Sequence, residues 1–160
     1  MRRLWLFSLA LLAVSCSHLG GREDRVIAEV LGRNAPGIEW QRSGFLEGDV
    51  NCDGTMDAVA HGSTSKEVAV AVVLGPFSSQ SRVSMMKFPI EGGSQEALCG
   101  EEAELALESL DYDPLELLGE RLEGFGPSSE CVGVVLSSGE CDAHHLYWNS
   151  KLAALSWWRM

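Results

Sequence analysis

Apolar and polar positions alternate along most of this chain, and only two stretches repeat at helical spacing. The strongest run is Glu67–Leu74, EVAVAVVL, nearly all apolar and rich in β-branched residues. Such a run suits a central strand covered on both faces, and Gly75-Pro76 stops it. Asp57–His61 alternates around Val59, and Arg82–Ile90 alternates weakly. Ala103–Leu110 sets Leu105 and Leu107 against Glu104, Ala106 and Glu108, which predicts a half-exposed strand. A helix competes there, because Ala, Leu and Glu all favour one. Cys131–Ser137 predicts a strand ended by Ser138-Gly139. His144–Trp148 and Leu152–Trp158 flank Asn149-Ser150-Lys151 and predict a hairpin. Ile38–Phe45, with Trp40, holds a short strand after the break at Ala35-Pro36-Gly37.

Helical spacing covers residues 23–31, where Val26, Ile27, Val30 and Leu31 form one stripe. Glu23 and Asp24 suit the helix N-terminus, and Gly32 supplies an end. Asp113-Pro114-Leu115-Glu116 predicts a second helix of one or two turns. Asp113 is its cap, Pro114 its first residue, and Glu116 lies three residues past the cap. The expected fold is mainly β: an antiparallel sheet or small sandwich of six or seven strands, with one N-terminal helix and one short helix.

The first sixteen residues follow another pattern. Arg2 and Arg3 precede an apolar run from Leu4 to Val14, then Ser15 and Cys16. A basic head, a short apolar stretch and a small-residue cleavage site make an export signal. The run falls well short of the ~20 residues a spanning helix needs. Ala13-Val14-Ser15-Cys16 resembles the lipobox of bacterial lipoproteins, with Ala13 where that motif usually carries Leu. Ala13-Val14-Ser15 also satisfies ordinary secretory cleavage, and both readings cut after Ser15. Cysteine parity separates them. Of five Cys, lipidation of Cys16 leaves Cys52, Cys99, Cys131 and Cys141, an even number suited to two disulfides. The domain reading is therefore 1–15 signal peptide, 16–22 lipidated tether and 23–160 a single disulfide-bonded β-rich domain. The resemblance implies a protein held on a bacterial envelope membrane by acyl chains, each buried CH₂ contributing about 0.8 kcal/mol. Ser17, where inner-membrane lipoproteins usually carry Asp, favours the outer membrane facing the periplasm.

Charge narrows the partners. The chain carries −11, and loss of the two signal arginines takes it to −13. A domain this acidic repels nucleic acid and anionic head groups.

The strongest chemical motif is Gly48-Asp49-Val50-Asn51-Cys52-Asp53-Gly54-Thr55-Met56-Asp57. Oxygen-bearing side chains stand at Asp49, Asn51 and Asp53. Gly54 permits a sharp turn, Thr55 offers its carbonyl and Asp57 closes the ring. That spacing suits Ca²⁺, which takes six to eight oxygens at about 2.3–2.6 Å. An EF-hand needs Glu at loop position twelve, and Ala60 stands there. The stretch resembles the loop of FG-GAP/VCBS-type repeats, D-x-[DN]-x-D-G-x-x-D followed directly by a strand. The resemblance covers about fifteen residues and implies a structural Ca²⁺ of weak affinity, about 10⁻⁴–10⁻³ M for an exposed extracellular-type site. Such repeats occur in tandem, and one copy implies one blade-like sheet and no full propeller. The competing reading is an Asp-rich turn without metal, since Asp and Asn bond their own backbone.

Sequence proximity favours the pairs Cys52–Cys99 and Cys131–Cys141 among the three pairings possible. His144 and His145 are adjacent on a strand and point to opposite faces, so they do not share an ion. Tyr147-Trp148 and Trp157-Trp158 are expected to face each other across the hairpin, one aromatic of each pair on each face. They are candidates for core packing or for a face that binds a glycan or a protein. No G-x-S-x-G, H-E-x-x-H or phosphate loop is present. The expectation is an envelope lipoprotein acting as a non-enzymatic binding or structural module. An inhibitor of an envelope-attacking hydrolase such as lysozyme is the alternative, and a glycan-active enzyme the third class.

Overall fold

The computed structural model describes residues 20–41, 44–90, 92–100 and 102–160; the expected signal peptide and Cys16 lie outside the described residues. The fold is mainly β, two antiparallel sheets with two helices. The first sheet holds β1 (Glu39–Trp40), β2 (Leu46–Gly48), β3 (Asp57–Ser63), β4 (Glu67–Val73) and β5 (Val83–Pro89). β1 and β2 both pair with β3, Trp40 opposite Gly62 and Leu46 opposite Val59. They are two pieces of one broken edge. The second sheet is the meander β6 (Glu104–Leu110), β7 (Ser128–Ser137), β8 (His144–Asn149) and β9 (Ala154–Trp158). Nine strands replace the expected six or seven. The stretch assigned to one strand at 38–45 is split, and its second piece starts beyond Phe45, where no alternation marks it.

Helix α1 spans Gly20–Asn34, longer at both ends than expected. Gly32 does not stop it, because an exposed helical glycine breaks no backbone bond and only lacks a side chain. The end comes at Asn34, whose Nδ2 donates to the Val30 carbonyl at 2.8 Å, just ahead of the Ala35-Pro36-Gly37 break. Helix α2 spans Pro114–Leu118. Asp113 caps it by accepting from Leu115 N, and Gly119 ends it in the left-handed region at φ 75°.

Three apolar layers result. Between the sheets, Val59, Val68, Val70, Val72 and Phe88 meet Val134, Leu136, Leu146 and Leu155. On the outer face of the first sheet, Ile27, Val30 and Leu31 of α1 lie on Ala58, Ala60, Ala71 and Val73. Alanines there let the helix approach, and each large side chain it buries contributes about 1.5–3 kcal/mol. On the outer face of the second sheet, segment 111–127 lays Tyr112, Leu118, Leu122 and Phe125 over Leu110, Cys131, Tyr147 and Trp158. The sheets also meet at their edges. Leu155 N donates to Ser84 Oγ at 2.8 Å, and Val132 N to the Asp49 carbonyl at 3.0 Å.

His144 and His145 do point to opposite faces. His144 is buried in the inter-sheet core, 4.7 Å from the ring of Phe88 and 5.0 Å from that of Trp157. Burial first, then the Arg159 charge, holds its pKa below the ordinary value of 6.5. Burial lowers His61 in the same way. The folded state therefore resists protons that the unfolded chain accepts. The stability held above the unfolded pKa is lost as pH falls through and below about 6.5. Each histidine contributes up to about 1.4 kcal/mol per pH unit to that loss. Urea unfolding at pH 7.5, 6.5 and 5.5 should show the decline, and His144→Leu should make it shallower. An identical slope in the variant would remove His144 from the account.

Candidate functional site

The Asp-rich segment is the turn of the β2–β3 hairpin, and it opens directly into β3 at Asp57. Asp57 is fully buried and serves as the hub. Its Oδ2 accepts from Val50 N at 3.0 Å and Asn51 N at 3.2 Å, and its Oδ1 accepts from Gly75 N at 3.0 Å. It thereby ties the turn to the end of β4. A Cβ on Gly75 would collide with the Met56 carbonyl, so that approach requires glycine. Burial pushes the Asp57 carboxyl above the usual carboxylate range, against the pull of the three amides.

The rest of the turn is bonded through its own side chains. Asp49 accepts from Asp53 N (Oδ1, 3.1 Å) and Gly54 N (Oδ2, 2.8 Å). Asn51 Oδ1 accepts from Asp53 N, and its Nδ2 donates to Asp53 Oδ2 at 2.9 Å. Asp53 Oδ1 accepts from Thr55 N at 2.8 Å. The Asn51 amide and the Thr55 N–H hold the Asp53 carboxyl below the usual range. Asp49, Asn51, Asp53 and Asp57 each thus accept backbone amides of this segment. Among the described residues no three acidic, His or Cys groups form a metal-holding cluster. Such Asx turns use these oxygens on nearby amides. An oxygen accepting one amide still keeps a lone pair, as Asp49 and Asp53 do.

Both disulfides form, but with other partners than proximity suggested. Cys52 pairs with Cys131 and Cys99 with Cys141, at Cα separations of 5.3 and 6.0 Å. Sheet packing decides this. The hairpin turn lies against the start of β7, while the connection after β5 runs beside the β7–β8 turn, where Ser138 Oγ donates to the Gly100 carbonyl at 2.9 Å. Cys52 has φ 61°, a left-handed conformation costly for a residue with a Cβ. The bridge to β7 and the surrounding Asx bonds hold it there.

Beside this bridge lies a cavity of about 420 Å³, within the usual size of small-molecule sites. Phe125, Tyr147 and Trp148 supply its aromatic wall, and Asn51, Ser128 and Glu130 its polar one. Its far wall is fixed from β8: Tyr147 Oη donates to the Glu123 carbonyl at 3.1 Å and Asn149 Nδ2 to the same oxygen at 2.9 Å. A side chain on Gly124 (φ 70°) would collide with Asn149.

The four hairpin aromatics do not make one exposed face. Register sets Trp157 opposite Leu146, Trp158 opposite His145, Tyr147 opposite Ser156 and Trp148 opposite Leu155. The aromatic pairs are thus offset rather than facing. Tyr147 and Trp158 are buried under segment 111–127, and Trp148 and Trp157 are half-buried toward the inter-sheet core. Hairpin length explains the offset. The turn takes in Leu152 and Ala153, because Asn149 Oδ1 caps Lys151 N and Leu152 N.

Sequence reasoning missed Phe125, Asn149 and the pair Glu108–His145, joined at 2.9 Å on the outer face of the second sheet. Alternation of Glu104, Ala106 and Glu108 marked the face but not the partner. No protein-family model, no curated protein and no solved structure matches this chain.

Proposed function

We propose that this protein is a lipid-anchored envelope domain that binds a ligand without catalysing a reaction, with the β2–β3 turn as scaffold for the adjoining cavity. The observation that carries this is the cysteine arrangement. All four cysteines among the described residues are paired. That usage fits an oxidising compartment and leaves Cys16, next to the lipobox-like Ala13-Val14-Ser15, as the fifth thiol to carry lipid. The Cys52–Cys131 bridge and the Asp57 hub preorganise one wall of the cavity, which lowers the entropic cost of binding. Calcium reinforces the scaffold. The remaining lone pairs of Asp49 and Asp53, with Asn51 and the Thr55 carbonyl, supply oxygen ligands on one turn.

The test is expression of the full chain in a bacterium. The mature protein is expected in the membrane fraction with acyl chains on Cys16, and Cys16→Ser is expected to be soluble or unprocessed. An unacylated wild type overturns the anchor. With the purified domain, millimolar Ca²⁺ is expected to raise the melting temperature, Mg²⁺ less so, and Asp53→Ala to abolish the rise. A melting curve indifferent to Ca²⁺ and chelator leaves the turn as scaffold alone. The exposed Met56 at this clamped turn favours a second reading, a rigid loop presented to the cleft of an envelope-attacking hydrolase. Inhibition of such an enzyme, lost on reduction of the bridge, distinguishes that reading.

A further inference from the structure

The cavity of about 420 Å³ beside the Cys52–Cys131 bridge presents two kinds of surface. Phe125, Tyr147 and Trp148 give it an aromatic wall, and Phe125 meets Tyr147 ring to ring at 5.2 Å, 68° from parallel. Its polar side chains are almost all engaged inside the fold. Asn51 Oδ1 accepts from Asp53 N, and its Nδ2 donates to Asp53 Oδ2. Ser128 Oγ accepts from Glu130 N at 3.1 Å and Cys131 N at 3.0 Å, and donates to Cys131 Sγ. Tyr147 Oη donates to the Glu123 carbonyl, and Ser150 Oγ to that of Gly124. Glu130 is the exception. It lines the same space, and among the described residues no hydrogen bond or ion pair engages its carboxylate. Among the described residues no Lys, Arg or His lines the cavity. Lys151, next to the lining residue Ser150, is held by Glu123, Nζ to Oε1 at 3.1 Å.

We propose that this cavity binds a small organic cation, an ammonium group carried on an apolar frame. The proposal rests on the reading of the cavity as a ligand site and names the ligand's chemistry. Aromatic rings attract a cation that comes within about 6 Å of a ring centroid. Glu130 supplies the counter-charge, and the −11 of the whole chain adds a field of the same sign. Each other class of ligand meets an obstacle. A carbohydrate needs several free donors and acceptors for its hydroxyls, and the side chains that would serve are already bonded within the fold. A carboxylate or phosphate meets Glu130 and no cation. A bare metal ion such as Ca²⁺ asks for six to eight oxygens, which an aromatic wall does not hold. An alkylated ammonium asks for none. The bridge and the Asx bonds fix one wall of the site and Asn149 the other, so few groups need ordering when the cation enters.

Choline is the probe, with neohexanol as its uncharged carbon isostere. Binding is followed at constant Ca²⁺ by the NMR signals of the Gly124, Gly126 and Glu130 amides and the Trp148 indole. Choline is expected to move these signals at millimolar concentration, and neohexanol to bind roughly fivefold more weakly. Glu130→Gln changes an exposed side chain that holds nothing in the fold. It is expected to weaken choline binding by roughly threefold to tenfold and to leave neohexanol binding unchanged. Equal affinity for the two probes overturns the proposal, as does a Glu130→Gln variant that binds choline as well as the wild type. In both cases the cavity stands as a ligand site of another kind. N-acetylglucosamine moving the same signals where choline does not is that result in its glycan form. If none of the three compounds moves them, the proposal and the reading of the cavity as a ligand site fall together.

Discussion

Replacing Cys52 and Cys131 together by alanine is expected to lower the unfolding free energy by about 4 kcal/mol, with a fall in melting temperature of roughly 15 °C. The bridge closes a sequence separation of 79 residues, so in the chain-entropy model its loss releases a long loop in the unfolded state. It also frees Cys52 from its left-handed conformation. The Cys99–Cys141 bridge stays intact in this variant, which isolates the effect. Denaturant unfolding followed by tryptophan fluorescence measures it. A loss under about 1 kcal/mol would show that sheet packing alone fixes the turn. A peptide map joining Cys52 to Cys99 would overturn the connectivity itself.

Asp57→Ala is expected to cost about 3 kcal/mol. Three backbone N–H groups, from Val50, Asn51 and Gly75, lose an acceptor that is itself fully buried. Each stranded donor costs roughly 1–3 kcal/mol, and relief of the carboxylate's own burial offsets part of the total. Asp57→Asn should cost less, since it keeps one acceptor oxygen. Asp53→Ala, at the exposed tip, should cost a small fraction of this. If Asp57→Ala and Asp53→Ala were equally mild, the buried carboxylate would not be the hub.

The contrast between these aspartates shows what the sequence could tell. Nothing in the Asp49–Asp57 spacing distinguishes a buried hub from an exposed tip, because burial comes from β4 and Gly75, eighteen residues on. By contrast, strands β3 to β9 were legible. Period-two alternation is a local signal, and Asp113-Pro114 with Gly119 spelled α2 at both ends. β1 and β2 were not legible as two strands, since two or three residues cannot establish a period. The disulfide pairing was hidden for a related reason. Proximity in sequence is a weak guide when two sheets fold face to face, and the turn at Cys52 meets β7 across that interface. The cavity depended on the same long-range packing, so its Phe125 wall carried no signal of its own. Glu108–His145 was half visible: the alternation placed each residue on its face, while the gap over Gly133 that lets them touch belongs to the sheet.

Each sheet is built from one uninterrupted half of the chain, residues 39–89 and 104–158, and a single connection joins them. That connection exposes Gly92-Gly93-Ser94-Gln95 to solvent, the kind of stretch at which proteases nick a folded protein. A cut there severs no strand and separates no pairing within either sheet. It divides the chain into two pieces, and Cys52–Cys131 spans the division while Cys99–Cys141 lies within the C-terminal piece. One sulfur bridge thus makes the integrity of the molecule independent of the integrity of its backbone. A nicked copy would travel as a single covalent species until a reductant arrived, and from then on only the apolar core between the sheets would hold its two pieces together.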